Sequence, residues 1–318
     1  MKSLFSRRAL IFSLVIFILV ACSGLGETSS PVEAEADARA AGRAIVLGDI
    51  SDDPAEVIDG TQPLADYLAR HLKEYSIVSG QVRVATSASE MAQLMQNGNV
   101  DLYFDSTYPA TLISDEIGAQ IILRRWRFGV EEYHSVIFAS AESGIASLED
   151  LPGHMIAMDA PYSTSGFMLP AVLMVEGGLK LVGKRGHGEP VAADEVGFVF
   201  SYDDENTLQW VLSGLTAAGV TDDYNFDVAF PEEVTQNLVV LARTESTPRQ
   251  VVVARAGLEP ELLEAIKQVL IGINEDSAGQ AALEAFQTTQ FDEFPEGIEA
   301  ATARMRDMME IAKDISLP

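Results

Sequence analysis

The sequence predicts an α/β protein built on two sheets, and three observations carry that reading. Short apolar runs of strand length alternate along the chain with segments whose apolar residues recur at helical spacing. At 318 residues the chain is long enough for roughly two ordinary domains. Its composition, 47% apolar and 22% charged, is that of a packed globular protein.

The first residues read as an address. Met1–Arg8 carries Lys2, Arg7 and Arg8 without an acid, and Leu10–Ala21 is an apolar run broken only by Ser13. That run is shorter than the ~20 residues a membrane-spanning helix needs, and its basic front end is that of a secretory signal over 1–21. Ser23–Arg43 is small, polar and acidic with no strand periodicity, so 22–43 reads as a flexible tether.

From Ala44 strands and helices alternate. Ala44–Gly48, Gln81–Ala85 and Val100–Phe104 are short apolar runs of buried-strand character, with helices expected over Pro63–Leu72 and over Ser89–Met95. Tyr133–Ala139 and Met155–Met158 are further strands, and Met168–Glu176 is a helix stopped by Gly177-Gly178. Val196–Phe200 is a strand, Glu205–Leu212 a helix, and Leu238–Ala242 and Val251–Ala254 are strands before the amphipathic helix Glu261–Ile273. The pattern points to two sheets of parallel type, with no internal repeat.

Charge and cysteine usage narrow the function. With 21 Lys+Arg against 48 Asp+Glu the net charge is -27, a surface that repels phosphate backbones and argues against nucleic acid. Removing 1–21 takes three basic side chains and no acid, which brings the charge to −30. Any anion must therefore be captured locally. The single cysteine, Cys22, excludes a disulfide framework and a paired-thiolate zinc site. The four histidines show no metal-ligand spacing, so neither a metal nor a cofactor is expected.

Parallel sheets bind ligands at the carboxyl ends of their strands, where loops feed helix N-termini. One such loop stands out: Asp159-Ala160-Pro161-Tyr162-Ser163-Thr164-Ser165-Gly166. Three hydroxyls and a glycine open the next helix, whose first N–H groups lack intrahelical partners. Hydroxyls donate without adding charge, and a glycine lets an oxygen approach the backbone. The turn reads as an oxyanion cradle, although one Ser there also suits a helix N-cap.

Ser163–Gly166, followed by Pro170, resembles the Ser-Thr-Ser-Gly motif of the phosphate/phosphite/phosphonate-binding family, the solute-binding lipoproteins of ABC importers. Pro63–Leu68, Gly98-Asn99-Val100-Asp101, Tyr133-His134-Ser135-Val136 and Ser147–Gly153 resemble further segments of that family. Leu19-Val20-Ala21-Cys22 is similar to the bacterial lipobox, which implies lipidation at Cys22 and a lipid anchor facing the periplasm or cell exterior. The resemblance implies a two-lobed type II periplasmic-binding-protein fold, each lobe a mixed sheet flanked by helices and joined by two crossing strands. Lobe 1 would be 44–138 plus 243–318 and lobe 2 would be 139–242. The implied ligand set is Ser163, Thr164, Ser165, Gly166, Tyr133, Asp105, Ser106, Thr107 and Tyr202.

Departures from the family bear on the ligand. Ser201-Tyr202-Asp203 stands where Ser-His-Asp/Glu is common, and Ala217 and Gln250 stand where an ammonium partner is expected, which disfavours an aminophosphonate. Asp105 has two readings, an acceptor for a proton on the ligand or a solvent-facing loop acid. Arg249 is expected at the hinge surface, with direct oxyanion contact as the alternative.

An enzyme would need a nucleophile–base pair or a metal set, and neither is visible. Ser165 is not in a G-x-S-x-G context, and no P-loop is present, so the energy for transport must come from partner permease and ATPase subunits. The expectation is a monomeric receptor for a small phosphorus oxyanion. The same fold could instead serve a sulfonate or a pyrimidine precursor, or a sensor ectodomain. Met305, Met308 and Met309 are expected in the core.

Overall fold

The computed structural model describes residues 42–51 and 53–318. The expected leader over 1–21, Cys22 and the tether as far as Ala41 lie outside the described residues. Arg43, assigned to that tether, is instead the first residue of β1 (Arg43–Ile50). Its N–H donates to the Ser76 carbonyl at 2.8 Å and its guanidinium reaches Asp101 at 3.1 Å.

β1 is followed by α1 (Pro54–His71), β2 (Ile77–Ala85), α2 (Ala88–Gln96), β3 (Leu102–Asp105), α3 (Thr107–Ile117) and β4 (Gln120–Arg127). The chain crosses through β5 (Glu132–Tyr133) into β6 (Ser135–Ser140), β7 (Met155–Met158), a single π turn at Thr164–Met168 and α4 (Leu169–Glu176). It continues through β8 (Leu181–Gly183), β9 (Val196–Phe200), α5 (Asp204–Leu212), β10 (Ala218–Asp222), α6 (Glu232–Thr235) and β11 (Leu238–Arg243). The return crossing is β12 (Thr247–Pro248), leading to β13 (Gln250–Ala254), α7 (Pro260–Ile271), α8 (Ser277–Ala285), β14 (Thr288–Asp292) and α9 (Ile298–Ala312).

Two six-stranded sheets result, ordered β14-β4-β13-β3-β1-β2 and β11-β6-β10-β7-β9-β8, with β5 and β12 paired as a separate antiparallel ribbon between them. Both sheets are mixed. β1 runs parallel to β2 and β3, but β13, arriving from the return crossing, lies antiparallel between β3 and β4. In the second sheet β7 is parallel to β9 and β10, while β6, arriving from the first crossing, is antiparallel to β10 and β11. The crossings thus reverse the strands that follow them. Val251-Val252-Val253 is apolar on both faces because β13 is central and wholly buried.

Several boundaries differ from the sequence reading. Pro63 lies inside α1, whose true cap is Asp53, accepting the N–H groups of Ala55 and Glu56 at 3.2 and 3.3 Å. The second sheet begins at Ser135, ahead of the boundary expected at 139, because β6 pairs with β10 along Ser135–Ala139. The last helix, placed in lobe 1 by the sequence reading, packs Met305, Met308 and Ala312 onto Met168, Leu169 and Val172 at the start of α4. Its Arg306 also reaches Asp115 of α3 at 3.0 Å, so α9 braces elements of both lobes.

Candidate functional site

The Ser163–Gly166 turn follows β7 and is bound into its surroundings. Ser163 Oγ accepts the Gly166 N–H at 2.9 Å, so Ser163 acts as an N-cap. It also bonds the Asp159 carboxylate, whose pKa burial raises and this bond partly restores. Met168 N–H donates to the Ser163 carbonyl at 3.0 Å, which gives the wide π turn; such single turns recur at functional sites. Thr164 is buried, and its Oγ1 accepts the Tyr108 N–H at 2.9 Å, joining the turn to the start of α3 across the lobes. Ser135 Oγ donates to the Ser165 carbonyl at 2.6 Å.

The first sheet carries a cavity of about 550 Å³, which none of the turn residues lines. Asp49, Ser51, Glu56, Thr61, Asp105, Arg125, Arg127, Gln250 and Gln287 supply its polar lining, and Phe104 and Phe286 part of its apolar wall. Arg125 is almost wholly buried and is held by neutral acceptors: Thr288 Oγ1 at 2.8 Å, Gln250 Oε1 at 2.6 Å and the Phe286 carbonyl at 2.5 Å. Its guanidinium lies 3.6 Å from the Phe286 ring centroid. Burial, then the neighbouring Arg127, push its pKa well below the ordinary value. Arg127 is lowered likewise by burial and by Arg249, and its Nε is buried without a hydrogen-bond partner.

The carboxylates answer this field only in part. Burial and the nearby Asp105 push Asp49 up to about 6, against an Ile50 N–H bond at 2.7 Å and the pull of Arg125 and Arg127. Asp105 is raised by burial, although Tyr103 Oη and the Ser106 N–H and Oγ donate to it. Asp105 therefore faces the cavity and is no solvent-facing loop acid. Thr107 turns away to the crossing, its Oγ1 donating to the Pro248 carbonyl at 2.7 Å.

The crossing strands carry Tyr133 and lead to Arg249, neither of which lines that cavity. Tyr133 is buried, and its hydroxyl interacts with the Thr164 and Ser165 side chains. Burial raises its pKa to about 12. The Arg249 guanidinium lies 4.5 Å from the Tyr133 ring centroid, and Nη1 donates to Asp222 Oδ2 at 2.8 Å. Arg249 is only 8% exposed, so the hinge-surface reading is corrected: the Asp222 carboxylate and the Tyr133 face draw it inward. Burial opposes its charge most strongly, yet Asp222, Tyr133 and Asp223 together lift its pKa.

The structure thus links Thr164, Ser165, Tyr133 and Arg249 in one chain of contacts, and electrostatic coupling ties Arg249 to Arg127 and Arg125. Tyr202 is apart. It follows β9 at φ 60, is 70% exposed, and touches the turn only through its N–H on the Asp159 carbonyl. Ala217 lies at the opposite end of the second sheet, lining a groove with Gly153, His154 and Met155, so it says nothing about a ligand ammonium. Among the described residues no His, Cys, Asp and Glu group is arranged for a metal. Sequence reasoning missed Asp49, Arg125 and Arg127. The available signal was Arg124-Arg125-Trp126-Arg127, three cations in four residues of a strongly acidic chain.

The comparisons with known proteins fit this architecture. The family model for the ABC transporter, phosphonate, periplasmic substrate-binding protein matches residues 50–296. The Xanthomonas citri protein XAC2383, solved bound to chloride ion, is 26% identical over 85% of this chain and 98% of its own, with a TM-score of 0.80. Its structure bound to ATP gives 25% identity over the same shares, 85% and 98%, and a TM-score of 0.79. PhnD1 from Prochlorococcus marinus, in complex with methylphosphonate, shares the fold at 17% identity, covering 85% and 97% of the two chains with a TM-score of 0.61. The fold is that of type II periplasmic binding proteins. Because the family match runs from the end of β1 past β14, through both sheets and both crossings, the chain belongs to the periplasmic substrate-binding proteins of phosphonate ABC transporters.

Proposed function

We propose that this protein is the extracytoplasmic receptor of an ABC importer, binding a small phosphorus oxyanion (phosphate, phosphite or phosphonate) between its lobes without chemical change. The observation that carries the reading is Arg125 and Arg127 lining one cavity, with Arg249 buried at the neighbouring crossing, in a chain whose net charge is -27. Guanidinium groups match tetrahedral oxyanions in geometry and charge. The Ser163–Gly166 turn, Tyr133 and Ser106 add hydrogen-bonding groups at the cleft. Charge-assisted hydrogen bonds worth about 1.5–3 kcal/mol each, less ordering and desolvation, suit a micromolar Kd of about −8 kcal/mol. The lobes close on the ligand, and permease and ATPase partners supply the transport step. Cys22 lipidation holds the monomer to the membrane.

A second reading within the fold is a larger anion bearing phosphate. A cavity of about 550 Å³ walled partly by Phe104 and Phe286 favours it. The Xanthomonas citri relative bound to ATP supports it as well. A thermal-shift and calorimetry panel of phosphate, phosphite, methylphosphonate, sulfate, taurine and ATP separates the readings. Preferential binding of sulfate or taurine would overturn both.

A further inference from the structure

The arginines of this protein hold their aspartates in two ways. Elsewhere in the fold, Arg124 grips Asp292 through Nε and Nη2 at 3.0 and 2.5 Å and Arg243 grips Asp227 through both Nη atoms at 3.0 and 2.8 Å, while Arg43 and Arg255 converge on the buried Asp101 with one nitrogen each. At the return crossing Arg249 gives Asp222 a single bond, from Nη1 at 2.8 Å, although both residues are less than a tenth exposed. A pair held by one guanidinium nitrogen leaves the other N–H groups for another oxygen. The carboxylate is no free arm either, since Asp222 Oδ1 accepts the Asn225 N–H at 2.8 Å. Two residues on, the Tyr224 ring stacks on Phe128 with centroids 5.3 Å apart, and Phe128 lies under the Arg127 guanidinium at 4.9 Å. One short segment, Asp222–Tyr224 at the end of β10, thus carries both a counter-charge for Arg249 and an aromatic contact beside Arg127.

Building on the oxyanion reading above, we propose that Asp222 is an internal counter-anion of the cleft. It holds Arg249 in the ligand-free protein and gives the guanidinium up to an oxygen of the bound anion. Because the displaced carboxylate stays nearby and repels the ligand, Asp222 limits affinity and favours release. The exchange breaks one hydrogen bond and forms another, with no proton transferred.

The test is calorimetric titration of phosphate and methylphosphonate into the full-length protein and its Asp222→Asn variant, at fixed salt. Asp194→Asn, an exposed acid of the second lobe, is the control for net charge. The expected result is at least fivefold tighter binding in Asp222→Asn and no change in Asp194→Asn. Unchanged or weaker binding in a folded Asp222→Asn protein overturns the proposal, as does an equal gain in the control. Asp222→Ser is the second variant, with the same expectation. Should neither fold, the pair is a folding requirement and not an exchangeable contact, which also overturns it. The wild-type isotherm tests the oxyanion reading and the ratio of variant to wild type tests the exchange, so the two failures are separable.

Discussion

Ser163 Oγ accepts the Gly166 backbone N–H at 2.9 Å, and that closure leaves no room for a side chain at 166. A Cβ there would stand 2.3 Å from Asp159 Cβ and 2.8 Å from Ser163 Oγ. Gly166→Val should therefore force Asp159 and Ser163 apart, costing about 1–3 kcal/mol of stability by overpacking and the larger share of oxyanion affinity. Ser163→Ala removes the cap, about 0.5–2 kcal/mol, and with it the bond to the Asp159 carboxylate. Thermal melts paired with phosphate titrations check both. Full affinity in a folded Gly166→Val protein would place the site elsewhere.

Much of this turn was legible because local chemistry decides it: a hydroxyl before a glycine at a strand end caps a helix whatever surrounds it. Strands such as Met155–Met158 and Val196–Phe200 were legible for the same reason, since buried strands declare themselves as apolar runs. The lobe-1 half of the site was not. Arg125 and Arg127 are charged residues on a strand, and nothing in local pattern says that Phe286, Gln250 and Thr288, far along the chain, will enclose Arg125. Arg249 looked like a surface cation because its partner Asp222 is 27 residues away and its ring platform, Tyr133, farther still. Nothing local marks Asp49 after Gly48, because the burial that raises its pKa comes from residues far along the chain.

Arg125 and Arg127 should dominate affinity. Each is expected to make charge-assisted bonds worth about 1.5–3 kcal/mol, so Arg125→Gln or Arg127→Gln should weaken phosphate binding roughly 10- to 100-fold. Because these cations are largely withdrawn from solvent, the loss should change little between low and moderate salt. Titrations at two ionic strengths read both effects. A loss that disappears with added salt would mean long-range attraction and not contact.

Asp49 should make stability depend on pH. Its folded pKa is raised from 3.8 to about 6, so its contribution is fully present below about pH 4 and is lost as the pH rises through 6. The shift corresponds to on the order of 3 kcal/mol. Asp49→Asn keeps an acceptor for the Ile50 N–H without the charge. It should melt higher than wild type at pH 7.5, with the gap narrowing toward pH 4. A gap of constant size across that range would show that Asp49 is not the titrating group.

Cys22→Ser should release the protein from membranes or leave its precursor unprocessed, as read by fractionation and by the mass of the mature N-terminus. The expectation rests on the basic start, the short apolar run and the lipobox-like ending at Cys22. A Cys22→Ser protein cleaved normally and still membrane-bound would remove the lipid anchor from the account.

The ligand should lack an amino group. The placement of Ala217 withdraws one reason given by the sequence, but the carboxylates near the turn supply a better one, because each already has an internal partner. Asp159 bonds Ser163, Asp222 bonds Arg249 and the Asn225 N–H, and Asp204 accepts from Thr221 Oγ1 and Asn225 Nδ2 at 2.7 and 2.8 Å. Burial, the largest cause, raises Asp204 to about 7, so at neutral pH it is a poor anion for an ammonium to meet. Gln250, the second residue at which an ammonium partner was expected, is committed to Arg125 at 2.6 Å. An ammonium entering this cleft would meet Arg125 and Arg127 at the cavity, where Asp49 and Asp105 are both raised in pKa by burial, and carboxylates near the turn that are already bonded. Calorimetry with 2-aminoethylphosphonate should therefore give weaker binding than phosphate, phosphite or methylphosphonate. Tighter binding than all three would show that the lobe-2 carboxylates give up their partners to a cation, which would reverse the assignment of ligand charge while leaving the fold and family unchanged.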